Sequence, residues 1–496
     1  MVASVGAIGV YAARRSLARD AVTSWLRAQG VESQIAFQAF DPGGFTGALR
    51  VGPASDPDFT AEAVEIRYDL LGFWTGDRFG ARVTSVRLVR PTLKARWHDG
   101  KLSLGALDPL IASLSKRPQD PASPIPDVEI RGARVRLDTD QGRLDAVAEG
   151  QIQDGRLDRL DVSLAPASLA APGMSLRSGP AELHLIRHAD LLAVAFAGQI
   201  AKVELRQARG AGRVAGVNLR LTGQIPYPDI KTRKLDGELV ATLETRAAQA
   251  GIGDANARDI VQTATFRGRA AGWGQDLALT GVVDGALQAT GGQLGATRLT
   301  APSASLQATE VAWTRQGGDR VRGRVHVTLG AQRLTQADLT LTRLGAQLTG
   351  PAAADARGLT LDLTGRAAAR GAWTGLGAVK AGDSPGDAGL KRALAAFALE
   401  APGLAVSASP SGLRLDLPQP VSLSTRSGGQ GRLTLLGGPL YAGGAGGLRL
   451  TLAGGGLPDA DLALRSYRIT DGAFTGQAEL KAKGSLGPVA GGEIAT

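Results

Sequence analysis

The sequence predicts a mainly β protein: a long twisted antiparallel sheet curled into an open hydrophobic groove, with a short N-terminal helix. Three observations carry this expectation. From Val128 onward, leucine and valine alternate with polar residues at period two, the spacing of a strand with one buried face. Glycine supplies 68 of 496 residues while aromatics are only 4%, which suits a thin β structure rather than a deep aromatic core. Helical patterns are few, so an apolar sheet face has little to cover it and must close, curl or bind something apolar.

The chain opens on Val2–Ala13, apolar and charge-free, ended by Arg14-Arg15. Twelve helical residues reach about 18 Å, short of the roughly 30 Å hydrocarbon layer. The run fits a signal h-region or the outer half of a membrane anchor. Leu17, Ala21, Trp25 and Ala28 continue at helical spacing to a stop at Gly30, giving an N-terminal segment 1–30. Strand chemistry then begins. Ile35, Phe37 and Phe40 lead to an Asp41–Gly44 turn, and Ala63–Tyr68 alternates apolar and polar residues. Phe73, Trp74 and Phe79 mark a compact turn, and Val83–Val89 alternates again. Arg90-Pro91 breaks that run, and Leu93, Ala95 and Trp97 form the next, closed by the Asp99-Gly100 turn. This module spans 31–113, and a Pro-rich polar linker follows over 114–126.

The body, 127–496, is monotonous. Val135 and Leu137 alternate with Arg134, Arg136 and Asp138; Val162 and Leu164 with Asp161 and Ser163. Leu183 and Leu185 flank His184, and Leu219 and Leu221 flank Arg220. Val325 and Val327 alternate with His326, and Leu359, Leu361 and Leu363 with Thr360 and Asp362. Leu413, Leu415 and Leu417 enclose Arg414 and Asp416; Leu448, Leu450 and Leu452 enclose Arg449 and Thr451. Turns are expected at Asp154-Gly155, Asp236-Gly237, Asp284-Gly285 and Asp471-Gly472. Two helices are expected: a short one over Asp254–Gln262, and one over Asp387–Ala401. The second has Leu390, Leu394 and Phe397 as its apolar stripe and is expected to dock at the groove.

The order within 59–111 is specific: an acidic-apolar strand, a Leu-x-Gly turn, the run VTSVRLVRPTL, then DGKLSLGAL. It resembles the entry module of the AsmA-like envelope protein family, in the YdbH/TamB branch. The resemblance implies intermembrane phospholipid transport along a continuous apolar groove, by a chain anchored in the inner membrane with its body in the periplasm. It implies phospholipid as cargo and an outer-membrane protein or small lipoprotein at the far end. Relatives run longer, so a body continuing past Thr496 is expected. The alternating Leu/Val sets above would then be the groove floor.

Against that reading stand the other classes. Cysteine is absent, which removes thiolate catalysis, zinc–thiolate sites and disulfides. The net charge of +10 comes from single scattered arginines without interleaved aromatics, the opposite of a nucleic-acid surface. No nucleophile elbow, phosphate loop or HExxH motif is present, so the chain is not expected to be an enzyme or to hold a metal or cofactor. His184 and His188 are spaced for a metal only on a helix, and their surroundings are strand-like. A structural β-solenoid or adhesin-like envelope protein is the alternative, and it requires regular repeats that the spacing does not supply.

Overall fold

The structure, a computed structural model, describes residues 33–41, 43–71, 80–109, 112, 126–207, 210–228, 234–410, 412–437, 446–470 and 473–482. The N-terminal segment, the aromatic turn at Phe73–Phe79, nearly all of the linker and the Asp471-Gly472 turn lie outside the described residues. The chain divides into two compact units, residues 1–211 with 215–227, and residues 212–214 with 228–496.

The first unit carries β1 (Ser33–Asp41), β2 (Gly44–Val51), β3 (Phe59–Leu71), β4 (Gly80–Val89), β5 (Thr92–His98), β6 (Lys101–Ser103), β7 (Asp127–Thr139), β8 (Gly142–Gln153), β9 (Arg156–Leu164), β10 (Ser168–Ala171), β11 (Met174–His188), β12 (Leu191–Gln207) and β13 (Gly210–Pro226). Most consecutive strands pair antiparallel as hairpins, β9 pairs β11 across the short β10 hairpin, and one strand runs parallel to its neighbour. The strand broken at Arg90-Pro91 lies parallel to β7, Ser85–Val89 against Asp127–Arg131 and Thr92–Trp97 against Arg134–Thr139. The ladder crosses the break through Arg90 N–H to the Arg131 carbonyl and Arg134 N–H to the Pro91 carbonyl. Proline, which lacks an N–H, is thus placed where no donor is needed.

The second unit carries β14 (Leu235–Ile252), β15 (Ala255–Gly272), β16 (Ala278–Gln288), β17 (Gly291–Leu294), β18 (Thr297–Thr300), β19 (Ser303–Thr314), β20 (Arg320–Gln336), β21 (Leu339–Asp355), β22 (Gly358–Trp373), α1 (Pro385–Ala395), β23 (Phe397–Ser409), β24 (Gly412–Asp416), β25 (Val421–Thr425), β26 (Gln430–Gly437), β27 (Gly446–Ala453), β28 (Ala460–Thr470) and β29 (Ala473–Ala482). Among the described residues its pairings are antiparallel, mostly between strands adjacent along the chain; β17–β18 and β16–β19 make the two halves of one long hairpin, and β23 pairs with both β24 and β25. A solenoid instead stacks equivalent strands of successive repeats, a pattern these hairpin pairings do not follow.

Three expectations need correction. Residues 254–262 are not a helix: Ala255–Gly272 is a strand laddered to β14 along its whole length, and the β-branched Ile260 and Val261 suit it. The 387–401 helix ends at Ala395, because Phe397–Glu400 are taken by ladders to β22 and β25. Asp236-Gly237 and Asp284-Gly285 lie inside strands, where each aspartate accepts from an arginine, Arg269 at 2.9 Å and Arg267 at 3.1 Å. Asp99-Gly100 and Asp154-Gly155 are hairpin tips with both residues at positive φ, as a two-residue primed turn requires.

Candidate functional site

Directly paired residues share a face of a sheet, so the registers show what each face displays. In the second unit one row runs Leu243, Ala264, Gly285, Leu306, Val327, Leu348, Gly365 and Leu404, across eight strands from β14 to β23. Every member is apolar. Leu348 of this row joins Ala308, Val325 and Leu363 in the buried centre, flanked by Val283, Leu361 and Val406. The next row on that face, Leu287, Ala304, Leu329, Ala346, Ala367 and Ala401, is also wholly apolar, yet Leu329 is 42% exposed.

That second row runs beside a crease. Asp259, Ala301 and Arg343 take left-handed φ values of +52°, +47° and +53°. They fall where β15, the β18–β19 strand and β21 interrupt their ladders, and the β16–β17 break at Ala289-Thr290 lies on the same line. Across it, Ala289 N–H donates to the Pro302 carbonyl and Ala301 N–H to the Thr290 carbonyl. Irregularities aligned across neighbouring strands bend a sheet, as bulges do. In the bend lies an apolar pocket of about 390 Å³, lined by Leu329, Leu344, Ala346, Ala367, Leu399, Val421 and their small neighbours.

The first unit shows the same design. Gly47, Val64, Leu88, Ile130, Gly150, Leu160, Leu185 and Val194 form one row from β2 to β12. Phe59, Leu93, Val135, Ala146, Leu164 and Ala181 form another. Leu137 sits between Ala95 and Leu144, and Val162 between Ala148 and Leu183. Leu219 and Leu221 are half-buried in β13. In the second unit Leu415 pairs with Val406, Leu417 is buried, and Leu448, Leu450 and Leu452 face Leu435, Leu433 and Gly431. Leu359 and Leu413 are each 51% exposed, close to the hairpin ends, away from the packed centre. The pocket's alanines and glycines escape a search for large apolar residues; the alternation of Ala346 with Gln347, and of Ala367 with Arg366, was the signal that could have found them.

The opposite faces are ionic. Arg87 bridges Glu65 at 3.0 Å and Glu129 at 2.6 Å, its paired neighbours in β3 and β7. Arg87 and Arg131 hold the Glu129 carboxyl below its ordinary range. His184 lies 2.7 Å from Asp161, its partner in β9, and that bond raises the imidazole's affinity for a proton. His326 meets Thr349 at 2.8 Å. His98, Asp99 and Asp140 converge at exposed hairpin tips through the parallel register of β5 and β7, a juxtaposition of residues far apart in sequence. No buried polar or charged residue occurs among the described residues. No helix among the described residues is long and apolar enough to cross a membrane.

A family model described as YdbH-like, intermembrane phospholipid transport protein YdbH, matches residues 2–317. The match covers the first unit and the start of the second. No curated protein sequence and no solved structure matches the chain.

Proposed function

The chain belongs to the YdbH-like family of intermembrane phospholipid transport proteins, and from this we propose that the apolar face of each unit carries the acyl chains of phospholipids. The observation that carries the reading is the uninterrupted apolar row across eight strands, bordered in the second unit by a creased apolar pocket with Leu329 exposed at its edge. A buried methylene is worth about 0.8 kcal/mol. A surface that offers apolar contact at every paired position therefore holds an acyl chain at nearly level free energy along the row, and no site need trap it. The ionic face stays in water. Mechanistically the protein is a passive conduit, with many weak equivalent contacts in place of an essential side chain. The candidate floor residues are Leu306, Val327, Leu348 and Leu404 with the pocket residues in the second unit, and Val135, Leu164, Leu160 and Leu185 in the first. In this reading the chain works between two membranes of an envelope, held at the inner one through its N-terminal segment and met at the far end by an outer-membrane partner.

Photocrosslinking tests it. A benzophenone amino acid at position 329, 346 or 399 is expected to capture phospholipid in cells, while one at 326 or 366, on the opposite face, is not. Equal capture from both faces, or none from the first three, would discard the reading.

A further inference from the structure

The hairpin tips of the second unit differ between its two edges. Ile252 and Leu294 are the most exposed large apolar residues among those described, at 63% and 64%. Both stand at tips, and the registers set those tips side by side. Ile252 pairs with Ala255, Ala255 with Leu294, and Leu294 with Thr297. The Arg298–Thr335 pairing carries the same edge on to Gln336, Leu339 and Trp373. Trp373 opens the segment leading to α1, where Leu376 and Val379 are exposed as well. That segment is ordered against the neighbouring tip: Thr374 N–H donates to the Asp338 carbonyl at 3.1 Å, and Gly377 N–H to the Thr374 carbonyl at 2.8 Å. A glycine follows three of the bared side chains, in Ile252-Gly253, Leu294-Gly295 and Leu376-Gly377, and a β-carbon on any of these glycines would meet nothing within 4 Å. The opposite edge carries charge at its tips, with Asp276, Arg315, Asp319, Arg320, Asp355 and Arg357, although Trp273 is exposed there too.

An exposed apolar edge marks a contact with a protein or with a membrane, and its shape decides between them. The edge crosses the adjoining strands β14, β15, β17, β18, β20, β21 and β22, about 29 Å at ordinary strand spacing, and it is narrow. Its five large side chains expose on the order of 500 Å², against the roughly 800 Å² that each partner gives a standard protein interface. A thin row of separate tips offers another protein little surface, whereas a bilayer closes around each tip independently. Trp373 has the amphipathic ring that settles at head-group level. Asp254 and Asp338 at the tips outnumber Lys380, so the contact is apolar and draws nothing from anionic lipid. The same carboxylates keep it shallow, because they stay in water.

We propose that this edge of the second unit docks on the surface of a lipid bilayer, with Ile252, Leu294, Trp373, Leu376 and Val379 set into the head-group boundary. The proposal concerns the outer edge and stands whether or not acyl chains lie along the apolar rows. Because the chain has no cysteine, a single introduced one carries an environment-sensitive nitrobenzoxadiazole label without ambiguity. The label is placed on the full chain at L294C or L376C, and at Q275C on the opposite edge. Vesicles of dioleoylphosphatidylcholine, which bear no net charge, are expected to shift emission to the blue at 294 and 376 and to leave 275 unmoved. Dihexanoylphosphatidylcholine below its micelle concentration, which supplies lipid without a bilayer, should shift none of them. With I252S/W373S added, both at exposed positions, the vesicle concentration for half the shift at 376 should rise about tenfold or more. A shift equal at 294 and 275, absent from both, or produced by the short-chain lipid overturns the docking edge, as does a shift at 376 that the double variant leaves unchanged. A blue shift at 294 on concentrating the protein without vesicles, with dimers in sedimentation, also overturns it and assigns the edge to a second copy of the chain.

Discussion

A β-carbon built on Gly365 would lie 1.8 Å from the backbone oxygen of Gln347, and one on Gly350 would lie 1.9 Å from that of Asp362. Gly285, in the same apolar row as Gly365, has its nearest neighbour at 3.6 Å. The contrast yields a prediction. Gly365→Ala forces backbone to move and should cost about 1–3 kcal/mol, whereas Gly285→Ala should be near neutral. Urea unfolding midpoints check both, and equal effects would show that strand approach at Gly365 is not tight. A second prediction concerns His184 and Asp161. The imidazole's pKa is raised from 6.5, mainly by its bond to Asp161, and the carboxyl's is lowered from 3.8, mainly by the same bond. The His184 contribution is present below 6.5 and lost as pH rises through its higher folded value; the Asp161 contribution is present above 3.8 and lost as pH falls through its lower one. The pair therefore contributes most between those two unfolded values, and because it is exposed its worth is at most about 1 kcal/mol. Proton NMR titration should find His184 above 6.5 and Asp161→Asn should bring it back; an unchanged value would mean the bond does not form in solution. Sequence made the alternation around His184 plain. It held no sign of Asp161 as partner, because that pairing depends on the register between β9 and β11.

At the scale of elements, period-two patterning revealed where strands run, and the apolar sets at 183–185, 325–327 and 448–452 all lie in strands. What it hid was irregularity. A positive-φ alanine such as Ala301, or an arginine such as Arg343, looks like any other residue in a sequence, so the crease along them was invisible. Asp-Gly pairs signalled turns only where no neighbouring arginine claimed the aspartate. The helix stripe Leu390, Leu394 and Phe397 misled because strand pairing outcompeted helix continuation at Phe397. In the structure α1 buries Gly389 and Ala393 instead, while its leucines are half-buried. Ser384 caps it, accepting from the Asp387 N–H at 3.1 Å, and Lys391 ties it to Asp383 at 2.8 Å. A β-carbon on Gly389 would already sit 3.1 Å from the Gly456 backbone. Gly389→Leu should therefore lift α1 from the Gly454–Leu457 turn and speed proteolysis within 374–384. Ser384→Ala should cost only about 1 kcal/mol of local helix stability. Proteolysis unchanged by the larger substitution would show that α1 is not docked on that turn.

At the scale of the whole molecule, each unit divides its residues between an apolar face and an ionic one, and the two faces should respond to different solution conditions. The ion pairs, such as Arg449 with Asp461 at 2.5 Å, are solvent-exposed, so each is worth little and salt screens it. Raising salt should shift the unfolding midpoint only slightly. The apolar faces behave otherwise. Leucines and valines such as Leu329, Leu287 and Val321 are left partly uncovered by the rest of their unit. A ligand that covers them binds the folded sheet and not the unfolded chain, because only the folded registers assemble a continuous row. Stabilisation then follows mass action, reaching about 2.7 kcal/mol when free ligand stands at a hundred times its dissociation constant. Delipidated protein titrated with dioleoylphosphatidylglycerol in mild detergent should show a midpoint that climbs with lipid and keeps its slope, since the same surface is exposed on unfolding. Short-chain glycerophosphate, which bears the head-group charge without tails, should leave it nearly still. A midpoint that moves with salt or glycerophosphate and ignores lipid would place the ligand on the ionic face and leave the apolar rows as structure alone.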